Sequence, residues 1–170
     1  MNGSIIETKT EICAAMTQLK EAVSHVDSQY YHLIIVAGVP GSGKTTMIQE
    51  LANAHGYPII NVNLELSKRL LDLTRVQRSR QAEKLLKEII AGVGGDLVIL
   101  DNIELLFDAR LELEPLRLLQ GVSRNRTIVS TWSGTYSNNT LIYAEPGHPE
   151  FVQFKQVEAT VVQASCGGNN

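Results

Sequence analysis

The chain has little of several things that would narrow its class at once. Its 170 residues include only two cysteines, Cys13 and Cys166. These form no CxxC pair and stand near opposite ends, so neither a zinc site nor a disulfide framework is suggested. Aromatic residues make up 5 % and charged residues 19 %, beside 44 % hydrophobic residues, which is close to an ordinary soluble globular protein. No charge of one sign dominates: a formal net charge of −3 leaves no global basic field for nucleic acid. The longest apolar run, "LIIVAGV" (Leu33 to Val39), is far too short to span a bilayer. Met1 to Ile12 lacks the basic start and apolar run of a signal peptide, so a cytoplasmic protein with no membrane contact is expected. The length fits one domain with a substantial core.

What is present is a regular alternation of apolar strands and helical patterns. Ile12, Met16, Leu19, Val23 and Val26 recur at spacings of three and four, the apolar face of an amphipathic helix within residues 1–31. "HLIIVAG" (His32 to Gly38) is a buried strand by its branched residues, and Thr45 to Ala54 is helix, closed by Gly56 and Pro58. "PIINVNLE" (Pro58 to Glu65) is expected as a second strand, and Ser67 to Ala91 as one long helix. "DLVILD" (Asp96 to Asp101) is apolar throughout, as in a central parallel strand. Glu104 to Phe107 and Pro115 to Gly121 read as short helices, and "RTIVSTW" (Arg126 to Trp132) as a fourth strand. Only "SGTYSNNT" then precedes "LIYAE", too little for a helical crossover, so an antiparallel return is expected. "EPGHPE" (Glu145 to Glu150) is a turn before a last extended stretch, Phe151 to Val162, and 164–170 reads as a frayed tail.

"GVPGSGKT" (Gly38 to Thr45) matches GxxxxGK[ST] at every fixed position, between a predicted strand and a predicted helix. Gly38, Gly41 and Gly43 let the backbone turn tightly, so that N–H groups along Val39, Pro40, Gly41, Ser42 and Gly43 can surround phosphate oxygens, Pro40 itself lacking one. The following helix offers its unpaired N–H groups and positive dipole end to the same anion. Lys44 is expected to bridge the terminal phosphates and Thr45 to ligate Mg2+, with Thr46 extending the helix start.

The second metal ligand should be an acidic residue ending an apolar strand, and "LVILD" makes Asp101 the Walker B candidate. The strand at 58–63, lying between the two motifs in sequence, resembles the plan of RecA-like and AAA+ ATPases. The base-reading N-K-x-D of GTPases is absent, as is a D-x-x-G at the second strand, so ATP is expected rather than GTP. The resulting fold class is α/β: a three-layer P-loop NTPase (ASCE/AAA+-like) parallel sheet over 32–163, with an antiparallel C-terminal extension and no separate lid domain. AAA+ proteins usually carry Glu directly after this Asp, to polarise the attacking water; here Asn102 stands there, and an amide can orient a water but cannot take its proton. Two carboxylates are alternatives, Glu104 and Glu65, with slow or partner-dependent hydrolysis as the remaining case. Thr131, at the tip of the fourth strand, is the candidate polar contact to the γ-phosphate. Arg124 and Arg126 in "SRNR" are candidate arginine fingers toward a neighbouring subunit, or else surface arginines at a helix end.

Charge is locally uneven. From 67 to 91, Lys68, Arg69, Arg75, Arg78, Arg80, Lys84 and Lys87 face only Asp72, Glu83 and Glu88, whereas 96–120 is acidic in balance. Opposed patches could join copies head to tail or in a ring, the basic helix could touch DNA phosphates, or both could be solvated faces.

"GVPGSGKTT", "INVNLELSKRLLDLT", "VILDNIELLFD", "LRLLQGVSRNRTIVSTWSG" and "LIYAEPGHPEF" together resemble the BrxF family, small P-loop proteins of type III bacteriophage exclusion (BREX) systems, from about His32 to Phe154. The resemblance implies a role in antiviral defence beside other BREX proteins, with the Walker A role on Gly38 through Thr45 and the Walker B role on Asp101. It leaves the catalytic base and the partner open. Three functions stay in view: an oligomeric ATPase that switches or assembles a defence complex, a nucleotide-dependent DNA-binding adaptor with little hydrolysis, and a small-molecule kinase, for which no arginine lid is visible. Common to all three is the lysine of the loop. Lys44→Ala is expected to abolish ATP binding measured by isothermal titration calorimetry, and unchanged affinity would refute the assignment of the loop.

Overall fold

Leu33–Gly38 (β1) is buried at every residue, and its side chains divide by alternation. Leu33, Ile35 and Ala37 join one core cluster, while Ile34 and Val36 join another. A strand whose two faces are both apolar must lie inside a sheet covered on both sides. The computed structural model describes the backbone of residues 3–164 and the side chains of residues 14–164. The expected apolar position Ile12 and both cysteine side chains lie outside the described residues, as does the tail from 165 onward. Ala164 belongs to the sheet edge, its N–H donating to the Ala37 carbonyl at 2.8 Å.

Five strands form the main sheet in the order β2-β3-β4-β1-β7, all parallel: β2 is Ile59–Asn61, β3 Leu97–Asp101, β4 Thr127–Ser137 and β7 Thr160–Gln163. The strand lying between β1 and β3 in space is therefore β4, whereas β2, which separates them in sequence, is an edge strand. One face is covered by α1 (Gly3–His25) and α2 (Lys44–His55), through Met16, Leu19, Met47, Ile48 and Leu51. The other carries α3 (Val62–Leu70), α4 (Arg75–Ala91) and α5 (Pro115–Val122), with two 3₁₀ turns at 104–107 and 109–111. The result is a three-layer α/β fold with a P-loop NTPase sheet. Among the described residues no helix follows β4, and no helix is long and apolar enough to cross a membrane.

Two expectations from sequence are corrected. The second strand stops at Asn61, because the Asn61 side chain accepts from the Leu64 N–H and caps a helix that begins at Val62. Glu65 thus sits in the first turn of α3 rather than closing a strand, and it pairs with Lys68 at 3.1 Å. The long helix of 67–91 is two helices. Thr74 starts the second with a reciprocal capping box: its hydroxyl accepts from the Gln77 N–H, and the Gln77 side chain accepts from the Thr74 N–H.

The antiparallel return is present, and its turn is shorter than the sequence implied. β4 runs on to Ser137 and turns through Asn138 and Asn139, at φ 49° and 54°, into β5 (Thr140–Tyr143). Two consecutive left-handed residues are what a tight hairpin with the natural strand twist requires, and asparagine tolerates that region. β6 (Val152–Lys155) extends the hairpin by pairing antiparallel to β5. The only tryptophan, Trp132, anchors this extension where β4 leaves the parallel sheet. It is fully buried, donates from Nε1 to the Ile142 carbonyl at 2.9 Å, and meets Phe107, Tyr143 and Phe154 edge-on. Next to it, Gly134 lies so close to the Ile142 carbonyl that no side chain fits. Gly134→Ala is expected to lower stability by about 1–3 kcal/mol or more through this overpacking against backbone. A urea midpoint equal to the parent's would contradict it.

Candidate functional site

Parallel strands open a crevice at their carboxyl ends, and here β3 and β4 deliver Asp101, Thr131 and Ser133 to one place while β1 leads into the phosphate loop. The register pairs Gly38 of β1 with Ser133 of β4, Val36 with Thr131, Leu100 of β3 with Ser130, and Asn61 of β2 with Asp101. A cleft of about 660 Å³ lies above them. Its lining brings together Pro40, Gly41, Lys44 and Thr45 from the phosphate loop and the start of α2, Asp101, Asn102 and Glu104 from the end of β3 and the loop after it, Thr131 and Ser133 from β4, and residues of the segment from Tyr143 to His148.

The phosphate loop has the conformation its glycines allow. Gly41 and Gly43 hold φ of 81° and 92°, the left-handed region that favours glycine. A side chain at Gly38 would collide with the Ser42 hydroxyl. Helix α2 starts at Lys44 with no side chain capping its first N–H groups, which leaves them for an anion. Lys44 donates from Nζ to the carbonyls of Gly38 at 2.7 Å and Val39 at 3.0 Å, closing over the loop. Burial pulls its ammonium below the ordinary lysine value, against the opposing pull of Glu104 and Asp101. Val39 and Thr46 are largely exposed, and Thr46 does not line the cleft.

Asp101 is nearly buried and well partnered. Its Oδ1 accepts from the Thr131 hydroxyl at 2.8 Å and from the Asn102 N–H at 3.0 Å, while Thr45 Oγ1 stands 3.4 Å from Oδ2. Thr131 therefore orients the Asp101 carboxylate. Asn102 lines the cleft with its backbone in the left-handed region, at φ 51°.

Of the two candidate carboxylates for the base, only Glu104 reaches the cleft. Its Oε1 accepts from the Ser133 hydroxyl at 3.1 Å and its Oε2 from Asn63 Nδ2 at 3.0 Å. The same Asn63 accepts the Leu105 N–H on Oδ1 at 2.8 Å, and its own N–H donates to the Asn102 carbonyl at 2.9 Å. One asparagine thus stitches the start of α3 to the loop after Asp101. Sequence reasoning passed over Asn63 and preferred Thr131 to Ser133; the signal for Asn63 was the capping pattern of Asn61 that places it on a helix instead of a strand.

The arginines stand elsewhere. Arg124 and Arg126 precede β4, at the end of the sheet away from the cleft. Arg124 donates to the Tyr30 hydroxyl at 2.7 Å and lies over that ring. Arg126 donates from Nη1 to the Ile90 carbonyl at 2.9 Å, with Nε and Nη2 buried and unpaired among the described residues. The basic stretch is also more engaged than its sequence suggests. Lys68 pairs with Glu65, Arg69 and Lys84 with Glu88, and Lys87 with Glu83, while Arg78 donates to the carbonyls of Leu71 and Leu73.

These residues fit a magnesium nucleotide. The Ser42 hydroxyl is buried inside the loop with no partner among the described residues, the helix start is uncapped, and Thr45 and Asp101 present hard oxygen donors side by side. Among the described residues no group of three His, Cys, Asp or Glu could hold a metal alone.

Fold and cleft together define a P-loop NTPase domain of the nucleotide-binding type. More narrowly, the chain belongs to the family of the viral superfamily 1 RNA helicase core domain, whose model matches residues 34–120, from β1 through most of α5. No curated protein matches the chain significantly. The matched span includes the phosphate loop, Asn63, Asp101 and Glu104; Thr131, Ser133 and the segment 143–148 lie beyond it. Asn63→Ala is expected to leave the Leu105 N–H unpaired and release Glu104, costing about 1–3 kcal/mol of stability. Denaturation at the parent's midpoint would show that the stitch contributes nothing to the fold.

Proposed function

We propose that this protein binds ATP with Mg2+ and hydrolyses it, and that Glu104 is the group that orients the water and takes its proton. The observation that carries this reading is the position of Glu104: a second carboxylate, held from both sides by Ser133 and Asn63, in the same cleft as Lys44, Thr45 and Asp101. Each of its oxygens accepts one hydrogen bond and keeps room for another, as a base that also positions water must. Thr45 and Asp101 would hold the magnesium, which supplies charge neutralisation between phosphate oxygens. Lys44 would pair with the terminal phosphates and hold them against the loop. Water attacks the terminal phosphorus, its proton passes to Glu104, and the bond from phosphorus to the bridging oxygen breaks to leave ADP. ATP is preferred to GTP because the guanine-reading N-K-x-D is absent.

The wider role is read from the motifs. The resemblance of "DNIELLFD" and "YAEPGHPE" to BrxF supports a switch or assembly factor in antiphage BREX defence, acting with other BREX proteins. The opposite charge balances of 67–91 and 96–120 support contact between copies, in which the exposed Arg124 is better placed than the half-buried Arg126 to meet a neighbour's phosphate. A second reading, a nucleotide-dependent DNA-binding adaptor, draws support from the RNA helicase family to which the chain belongs. Against it stands the pairing of most basic side chains on α3 and α4 with carboxylates of the same helices.

Binding and turnover separate in one variant. Glu104→Gln is expected to keep ATP affinity and lose about 10²–10⁴-fold of phosphate release, the range of a general base. Chelation of Mg2+ is expected to stop turnover in the parent. Parent-like turnover by Glu104→Gln would remove Glu104 from the mechanism.

A further inference from the structure

Among the described residues the cleft is lined by three carboxylates, on Asp101, Glu104 and Glu145, and by a single lysine. A nucleoside triphosphate brings several negative charges to its terminal end, so Lys44 alone is a thin complement. No arginine is among the lining residues, since Arg124 and Arg126 stand at the other end of the sheet. The one further basic side chain there is His148, on the turn between β5 and β6.

That turn is built rather than loose. The Trp132–Phe107–Tyr143 cluster fixes its stem, with Phe107 and Tyr143 stacked face to face. Burial, with the carboxylates of Glu104 and Glu150 adding, pushes the Tyr143 phenol well above its usual value, so it stays neutral. Ala144 then takes the left-handed region at φ 61°, unusual for alanine, and its N–H donates to the Ser133 carbonyl at 3.2 Å. Left-handed backbone is uncommon outside glycine, and strain of this kind gathers at ligand clamps. Ala144 and Asn102 are the two non-glycine residues lining the cleft that hold it. Ser133 thereby touches both the turn, through its carbonyl, and Glu104, through its hydroxyl.

The turn also selects which nitrogen of His148 can donate. Its backbone is tied at both sides, the His148 N–H donating to the Glu145 carbonyl at 3.0 Å and the Phe151 N–H to the His148 carbonyl at 3.0 Å. Gly147, at φ 94°, makes the reversal. The Glu150 N–H donates to Nδ1 of the ring at 3.1 Å. A nitrogen that accepts from a backbone amide carries no proton, so the proton of the neutral ring sits on Nε2. Nε2–H is then the donor left on a ring that lines the same cleft as Lys44.

We infer that His148 reads the terminal phosphate of the bound nucleoside triphosphate, donating from Nε2–H, and that the Tyr143–His148 turn carries the presence of that phosphate through Ser133 to Glu104. This rests on the ATP-binding reading above and assigns a residue that distinguishes triphosphate from diphosphate. Within "YAEPGHPE", Tyr143 anchors the turn, Ala144 redirects the chain, Gly147 reverses it, and His148 donates.

The experiment compares Mg2+-ADP with a non-hydrolysable ATP analogue by isothermal titration calorimetry, on the full chain and on His148→Ala, His148→Phe and His148→Lys. His148→Ala and His148→Phe are expected to weaken the triphosphate about tenfold, as for loss of one hydrogen bond to a charged group, and to leave ADP unchanged. His148→Lys is expected to restore the preference, which a purely structural loss would not allow. ¹⁵N spectra of the imidazole should show an unprotonated Nδ1 in the free protein and an Nε2 shift with the analogue but not with ADP. An unchanged ratio of analogue to ADP affinity in His148→Ala would overturn the inference. Unchanged binding of both nucleotides in Lys44→Ala would instead overturn the ATP-binding reading on which it stands.

Discussion

The site depends on one nearly buried carboxylate, Asp101, and on the hydroxyl that holds it. A charge removed from water is costly unless hydrogen-bonded, and Asp101 meets that demand with Thr131 from the adjacent strand and its neighbour's N–H. Because Thr131 is registered against Val36 of β1, the same contact fixes where the third strand ends relative to the phosphate loop. Thr45, in the first turn of α2, then lies beside the second oxygen. Three elements far apart in sequence are aligned around one group, and a cation with oxygen ligands is what such an alignment can serve.

Around that centre the backbone takes uncommon conformations where the cleft needs them. Asn102 enters the left-handed region directly after Asp101, and the loop beyond it brings Glu104 into the cleft lining, where Asn63 and Ser133 secure it. Ala144 also takes the left-handed region, and its N–H ties the hairpin turn to the Ser133 carbonyl. The stacked aromatic rings beneath give that turn a rigid base. In this arrangement the position expected to carry the base is an asparagine, and the carboxylate arrives from two residues further along.

Electrostatics separates what composition suggested from what geometry supplies. The basic stretch of 67–91 reads as an open positive surface in one dimension. Folded, Lys68, Arg69, Lys84 and Lys87 lie within reach of carboxylates one helical turn away or on the neighbouring helix, and part of the field is compensated locally. The cleft has the opposite character, with three carboxylates and one lysine among its lining residues.

The sequence by itself determined the phosphate loop, the strand ending in Asp101, and the antiparallel return, because each rests on local chemistry: glycines at fixed spacing, an unbroken apolar strand, and a connection too short for a helix. It also named Glu104 as one of two candidates. It could not choose between Glu104 and Glu65, since the choice turned on whether residues 62–65 continued a strand or began a helix, and the Asn61 cap settled that in three dimensions. Tertiary structure alone decided that Asn63 and Ser133 hold Glu104, that Arg124 and Arg126 stand away from the cleft, and that the turn at 145–148 joins Lys44 in lining one cleft. These are contacts between residues dozens of positions apart. Strand order and register create them, and periodicity along one chain carries no record of which strand will lie beside which.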